Sequence, residues 1–181
     1  MLSRSENSNQ SSKRASIPRW LAIIVALVFW LIGVPLFYCV APWAISLFLP
    51  RCGWAANHPG PWNLIGLIPV GIATICLIWL MVLHIAQAPE RVALALTPSY
   101  LIRRGPYAFS RHPMYLSELA LLPGWTIFYG SVAVLIPFVT AGAFFNFVHI
   151  PREEHTLEAR FGEAYREYKN QAPRWFWKIQ R

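Results

Sequence analysis

The sequence predicts an all-α, polytopic membrane protein with about four transmembrane helices, a short helical hairpin and a cytoplasmic amphipathic C-terminal helix. Three observations predict it. Of 181 residues, 56% are hydrophobic and only 13% charged, about half the charged share of a soluble domain. The apolar residues come in blocks long enough to cross a bilayer. Every Lys and Arg of the sixteen except Arg51 falls on one side of a four-span arrangement. That asymmetry places both termini in the cytoplasm.

The elements follow in order. Residues 1–18 are polar at first and low in complexity, and they read as a disordered cytoplasmic tail. Residues 19–181 read as a single membrane domain. The first apolar block, Trp20 to Leu49, holds Pro35 and Pro42. It predicts a span over 20–38 and then a kinked or interfacial continuation. A signal peptide is not indicated, because the block exceeds a signal core and lacks a small-residue cleavage site. The second block is 62–86. The third, 115–128, is short and contains Pro123 and Gly124. The fourth is 131–150, and "YGS" between the last two predicts a tight antiparallel turn.

From Arg152 the chain is charged. Leu157, Phe161, Ala164, Tyr165 and Tyr168 recur at helical spacing, which predicts an amphipathic helix over 152–170 with Pro151 in its first turn. Glu153 shares the apolar face of Leu157, so it is expected to point inward, whereas Glu154 is expected to meet water.

Composition also excludes. The net charge of +8 does not indicate nucleic acid, because the basic residues flank apolar runs instead of forming one basic face. Cys39, Cys52 and Cys76 form no CxxC pair, so neither a disulfide framework nor a metal site is indicated. The bilayer is the first partner the sequence implies, with the protein multi-pass in the plasma or inner membrane of a prokaryote.

The stretch "RRGPYAFSRHPMYLSE", residues 103–118, carries the densest chemistry. Gly105 and Pro106 make a turn, and Pro113 suits the first turn of the third helix. Arg103, Arg104 and Arg111 can be headgroup anchors, with the tyrosines as interfacial belt residues. A functional reading stands beside that one. The same face carries "REE" at 152–154, and Glu118 lies a turn inside the third helix, where a carboxylate is costly unless paired. His84 reads as an interfacial or packed histidine, His58 and His155 as solvated residues, and Tyr165 and Tyr168 as packing residues. Trp175 and Trp177 bring the C-terminus back to the membrane surface.

"GPYAFSRHPMY", a short hydrophobic hairpin and then "PREEHTLEARFGEAYREYKNQAPRW" resemble the isoprenylcysteine carboxyl methyltransferase and phospholipid methyltransferase superfamily of integral membrane enzymes. The resemblance runs from about 99 to 175. It implies S-adenosylmethionine as cofactor, bound in a cytoplasmic pocket of the last helices and the C-terminal segment, without a Rossmann fold. No GxG occurs in the chain, in agreement.

Carried over by resemblance, the cofactor-binding positions are Ser99, Tyr100, Leu101, Ile102, Tyr107, Arg111, His112, Pro113, Met114, Tyr115 and Glu153. Arg152 and Glu153 are the implied catalytic pair, and His149 and Glu118 the substrate side. The family often has Gly where Ser117 stands, followed here by Glu118, and 86–99 matches no family pattern. The resemblance implies a lipophilic or prenylated carboxylate as methyl acceptor, with a phospholipid headgroup amine as the alternative. A carboxylate acceptor needs no base; an amine must lose a proton, with Glu118, Glu153 or His149 as candidates. Rival readings are a haem-binding electron-transfer protein using His84 and His149, a non-catalytic scaffold, and a membrane reductase of the sterol type.

Overall fold

The computed structural model describes residues 16–93 and 100–176. Most of the expected tail, together with Ser99 and Trp177, lies outside the described residues. Ser16 to Pro18 form a short strand, β1, at the end of the stretch expected to be tail. It pairs antiparallel with β4, Arg91–Ala93, in the register Ile17 to Val92. Arg19 adds two bonds to the same junction, its N–H to Glu90 O at 2.8 Å and its guanidinium to Ile85 O at 2.9 Å. The start of the first helix is thereby tied to the end of the second.

Four helices build the bundle: α1 over Arg19–Ser46, α2 over Pro61–Gln87, α3 over Pro113–Tyr129 and α4 over Val132–Phe161. Helices α1, α2 and α4 are each long and apolar enough to cross a membrane. Helix α3 has 17 residues, a little under the usual span of about 20. It runs from the charged end of the bundle to the opposite end and is the most enclosed of the four. Ser117, Glu118, Leu121, Leu122 and Gly124 are all buried along it. A short α5, Glu163–Gln171, follows.

The first block does not break where its prolines predicted. Helix α1 runs continuously to Ser46. It widens to π geometry over Phe29–Gly33 and Leu36–Val40, each ending two residues before a proline, Pro35 and Pro42. A third π segment, Phe145–His149, precedes Pro151 in the same way. Proline lacks an N–H and its ring crowds the carbonyl four residues back. A wider turn relieves both without ending the helix. For this reason the C-terminal amphipathic helix does not start afresh at Pro151 but continues α4. The break falls instead at Gly162, at φ +54°.

Lipid-facing side chains such as Leu31, Phe37, Ile72 and Phe147 are largely exposed, as a bilayer solvent allows. Between helices, small residues set the spacing. A Cβ on Gly66 of α2 would fall 2.5 Å from Phe128 N and against the Gly124 carbonyl oxygen of α3. Near that crossing Ala73, Leu77 and Leu121 form a core, with Trp30, Val34 and Tyr38 of α1 packed on it. A second core of Leu157, Tyr165, Tyr168 and Ala172 joins the end of α4 to α5, with Leu101 and Tyr107 against it.

At the opposite end, β2 (Trp54–Ala55) and β3 (His58–Pro59) form a small hairpin. Buried Asn63 ties it to α3 by donating to Cys52 O at 3.1 Å and Ile127 O at 2.9 Å. The predicted YGS turn is present, with Gly130 left-handed at φ +58° capping α3.

Candidate functional site

The charged end of the bundle is assembled by crossing hydrogen bonds between residues 100–112 and the C-terminal segment. Tyr168 Oη donates to Tyr107 O at 2.8 Å, Ser110 Oγ to Arg174 O at 3.0 Å and Arg111 N–H to Pro173 O at 2.8 Å. Arg103 donates to the Ala164 carbonyl and lies 3.7 Å from Glu167. Arg104 is exposed. Trp175 Nε1 donates to Asn146 Oδ1 at 3.1 Å, which returns the C-terminal segment to α4.

Two neighbouring cavities open here. The larger, about 350 Å3, is walled by Ala22, Ile23, Ala26 and Trp30 of α1, by Met81, His84 and Ile85 of α2, and by Tyr100, Met114, Tyr115 and Glu153. The smaller, about 50 Å3, is bounded by Leu101, Ile102, Tyr107, Arg111, Leu157, Tyr165 and Tyr168. His84, Tyr100 and Glu153 belong to both. The larger cavity is mainly apolar and walled by membrane helices; the smaller mixes apolar side chains with tyrosines, Arg111 and Glu153.

Glu153 is the polar centre. Tyr115 Oη donates to its Oε2 at 2.9 Å, and His149 Nε2 is 3.0 Å from the same hydroxyl. His112 Nδ1 lies 3.7 Å from Glu153 Oε2. The Tyr115 ring stacks between His112, at 5.7 Å, and Phe145, at 4.7 Å. Across the cavity His84 is held by two tyrosines, Nδ1 to Tyr100 Oη at 3.0 Å and Nε2 to Tyr107 Oη at 2.9 Å. Burial, reinforced by the Glu153 carboxylate, pushes the Tyr107 hydroxyl well above the ordinary phenol range, so it remains a neutral hydrogen-bonding group.

Glu154 corrects the expectation that it meets water. It is 6% exposed and holds Arg111 at 2.9 Å, Arg174 at 2.8 Å and His112 Nε2 at 3.3 Å. The C-terminal segment covers the face of α4 that an isolated amphipathic helix would leave wet. Both acids of "EE" therefore point into protein: Glu153 toward the cavities, Glu154 toward the ion pairs that lock α3, α4 and the segment after α5.

Most sequence-predicted positions gather here. Tyr100, Leu101, Ile102, Tyr107, Arg111, Met114, Tyr115 and Glu153 line one cavity or both. His112 and Pro113 are buried at the entry to α3, with Pro113 in its first turn. His149 reaches the site through Tyr115. Arg152 is exposed and lines neither cavity.

Glu118 also lies outside both cavities. It is buried in α3 and accepts a hydrogen bond from Tyr38 of α1 at 3.0 Å. His84, read as a packed histidine, proves also to be a cavity wall. Tyr165, read as packing, borders the smaller cavity as well. The contribution of α1 was missed altogether, although Ala22 and Ala26, small residues one helical turn apart, mark the face that opens the cavity.

The fold is a helical membrane bundle whose charged end carries an α1-walled cavity beside a tyrosine- and glutamate-lined one. Comparison with known proteins makes the assignment specific. The phospholipid methyltransferase family model matches residues 62–164, more than half of the chain, and the chain belongs to that family. A protein of Haemophilus influenzae described as uncharacterized is 39% identical over 62 residues, covering 34% of this chain and 98% of the relative. Family and fold together make this an integral membrane protein with a methyltransferase domain.

Proposed function

We propose that the chain transfers a methyl group from S-adenosylmethionine to a lipophilic acceptor that reaches the larger cavity from the bilayer. The observation that carries this reading is that Glu153, Tyr100 and His84 line both an apolar, α1-walled cavity and a smaller tyrosine-lined one beside it.

The residues of the polar pocket suit the cofactor's groups. Arg111 Nε and Tyr165 Oη are buried without a hydrogen-bond partner, and both residues border the smaller cavity. Orphaned polar atoms of this kind suit a ligand carboxylate or hydroxyl. The ring faces of Tyr100 and Tyr107 suit a cation, and Glu153 suits an ammonium or ribose hydroxyls. When bound, S-adenosylmethionine supplies an electrophilic methyl group on a sulfonium. The protein's part is to position the acceptor's nucleophile and exclude water.

One observation favours an amine acceptor over the prenylated carboxylate. Among the described residues the larger cavity is lined by Glu153 and by no Lys or Arg, which suits a cationic or neutral headgroup better than an anion. An amine must shed a proton. Glu153, with Tyr115 and His149 hydrogen-bonded behind it, is positioned to accept one. Arg152, exposed, acts on this reading at the surface and not at the reacting atoms. The clustering of basic residues supports a cytoplasmic location for this end, and the Haemophilus relative supports a bacterial membrane.

Purified protein supplied with labelled S-adenosylmethionine and a bacterial lipid extract tests the reading. Label should enter the lipid phase and resist mild alkali, as an N-methyl group does. Label released by alkali as methanol identifies a methyl ester and the carboxylate acceptor. No label in lipid contradicts the reading.

A further inference from the structure

The end of the bundle opposite the candidate site holds a second polar cavity, about 450 Å3, lined by Ser46, Leu47, Leu49, Arg51, Trp54 and Asn57 among others. The Arg51 guanidinium is fixed there. It lies 4.7 Å from the Trp54 ring centre and 5.4 Å from that of Tyr129, and donates to Ser46 Oγ at 2.9 Å. Ser46 donates onward to Trp43 O at 2.6 Å, and Trp54 Nε1 to Phe128 O at 2.8 Å. The cation is therefore held by α1, by the β2–β3 hairpin and by the end of α3.

Among the described residues no carboxylate neutralises it. The chain has no aspartate, none of its eight glutamates falls within 47–60, and no described glutamate reaches ion-pair distance of Arg51. Among the described residues its one hydrogen bond is to Ser46, which leaves most of its five N–H donors unused. A guanidinium pre-oriented by two aromatic faces and facing a polar cavity is built to meet an anion.

The surroundings identify the anion's source. Leu47, Phe48 and Leu49 are 59%, 82% and 49% exposed, three consecutive apolar side chains beside the cation where α1 ends. Leu47 and Leu49 also line the cavity. An apolar shelf beneath a cation matches a phosphodiester attached to acyl chains, whereas a free phosphate would use the cation alone.

We propose that Arg51 binds the phosphate of a membrane phospholipid in the leaflet opposite the candidate active site. The lipid would pin α1 to the hairpin and to α3 at the end where α1 has no strand to hold it. The site is independent of methyl transfer and can be tested without S-adenosylmethionine.

The experiment is native mass spectrometry of the full chain in detergent, titrated with dioleoylphosphatidylglycerol, a phosphate-free galactosyl diacylglycerol or inorganic phosphate. Wild type should retain one more phosphatidylglycerol than Arg51→Gln, with an apparent affinity about tenfold higher. Arg51→Lys should fall between them. Equal retention by wild type and Arg51→Gln overturns the proposal. So does a galactolipid that binds wild type as tightly as phosphatidylglycerol, a comparison that needs no variant. Displacement of the lipid by equimolar inorganic phosphate makes the free anion the ligand and overturns the lipid assignment.

Discussion

The Tyr115 hydroxyl and the Glu153 carboxylate meet at 2.9 Å, joining the first turn of α3 to α4 across the mouth of the cavity. Each residue comes from one of the two motifs that stand out in the sequence. Their contact makes "RHPMY" and "REE" a single site, and the neighbouring Glu154 makes that site rigid.

Glu154 gives the largest stability prediction. Its carboxylate is buried among Arg111, Arg174 and His112. Removing one member of a buried ionic cluster leaves uncompensated charge and typically costs about 3–5 kcal/mol. Glu154→Ala should therefore lower the unfolding temperature strongly in detergent. Glu158→Ala, which loses exposed Arg166 and half-buried Lys169, should cost far less. Thermal unfolding of the two variants side by side checks the contrast.

His84 should affect the ligand more than the fold. Its two ring nitrogens hold the Tyr100 and Tyr107 hydroxyls. His84→Ala releases both rings from the pocket wall, and cofactor affinity should fall about tenfold, the worth of roughly one lost hydrogen bond. Calorimetric titration with S-adenosylmethionine is the check, with Tyr107→Phe expected to show a smaller loss.

Glu118 is predicted to position a helix, not to touch substrate. Its partner is Tyr38, eighty residues away on α1. Tyr38→Phe removes the donor to a buried carboxylate and should cost about 1–3 kcal/mol. Cofactor affinity should stay at the wild-type value. Melting curves and binding isotherms on the same preparation separate the two effects.

The α2–α3 crossing predicts a sharp contrast between two glycines of the same helix. A Cβ on Gly66 meets the backbone of α3, whereas one on Gly71 meets nothing within 4 Å. Gly66→Ala should destabilise by about 1–3 kcal/mol through overpacking. Gly71→Ala should be neutral or slightly stabilising, since alanine is the better helix former. Unfolding temperatures of the pair decide it.

Much of this architecture is legible in the sequence. Bilayer-length apolar blocks, the YGS turn, the first-turn Pro113 and the inward phase of Glu153 follow from local physics; its grouping with Tyr115 comes from the one-sided basic residues and the family resemblance. What escaped reading depended on partners distant in sequence. Glu154 looked solvent-facing because helical phase describes one face of one helix, and the covering segment at 173–175 carries no periodic signal. Pro35 and Pro151 read as breaks because widened turns were not anticipated; such turns precede Pro35, Pro42 and Pro151 but not Pro123 of α3. His84 looked like packing because its two tyrosines lie 16 and 23 residues further on.

The proposed methyl transfer rests on Glu153, which lines both cavities. Its most direct test is transfer of labelled methyl from S-adenosylmethionine into lipid by the wild type and by Glu153→Gln, measured together with cofactor binding. The wild type should transfer label, and Glu153→Gln should lose at least a hundredfold, of the order expected when a positioned proton acceptor is removed, in protein that remains folded. Equal transfer by the two proteins would contradict it.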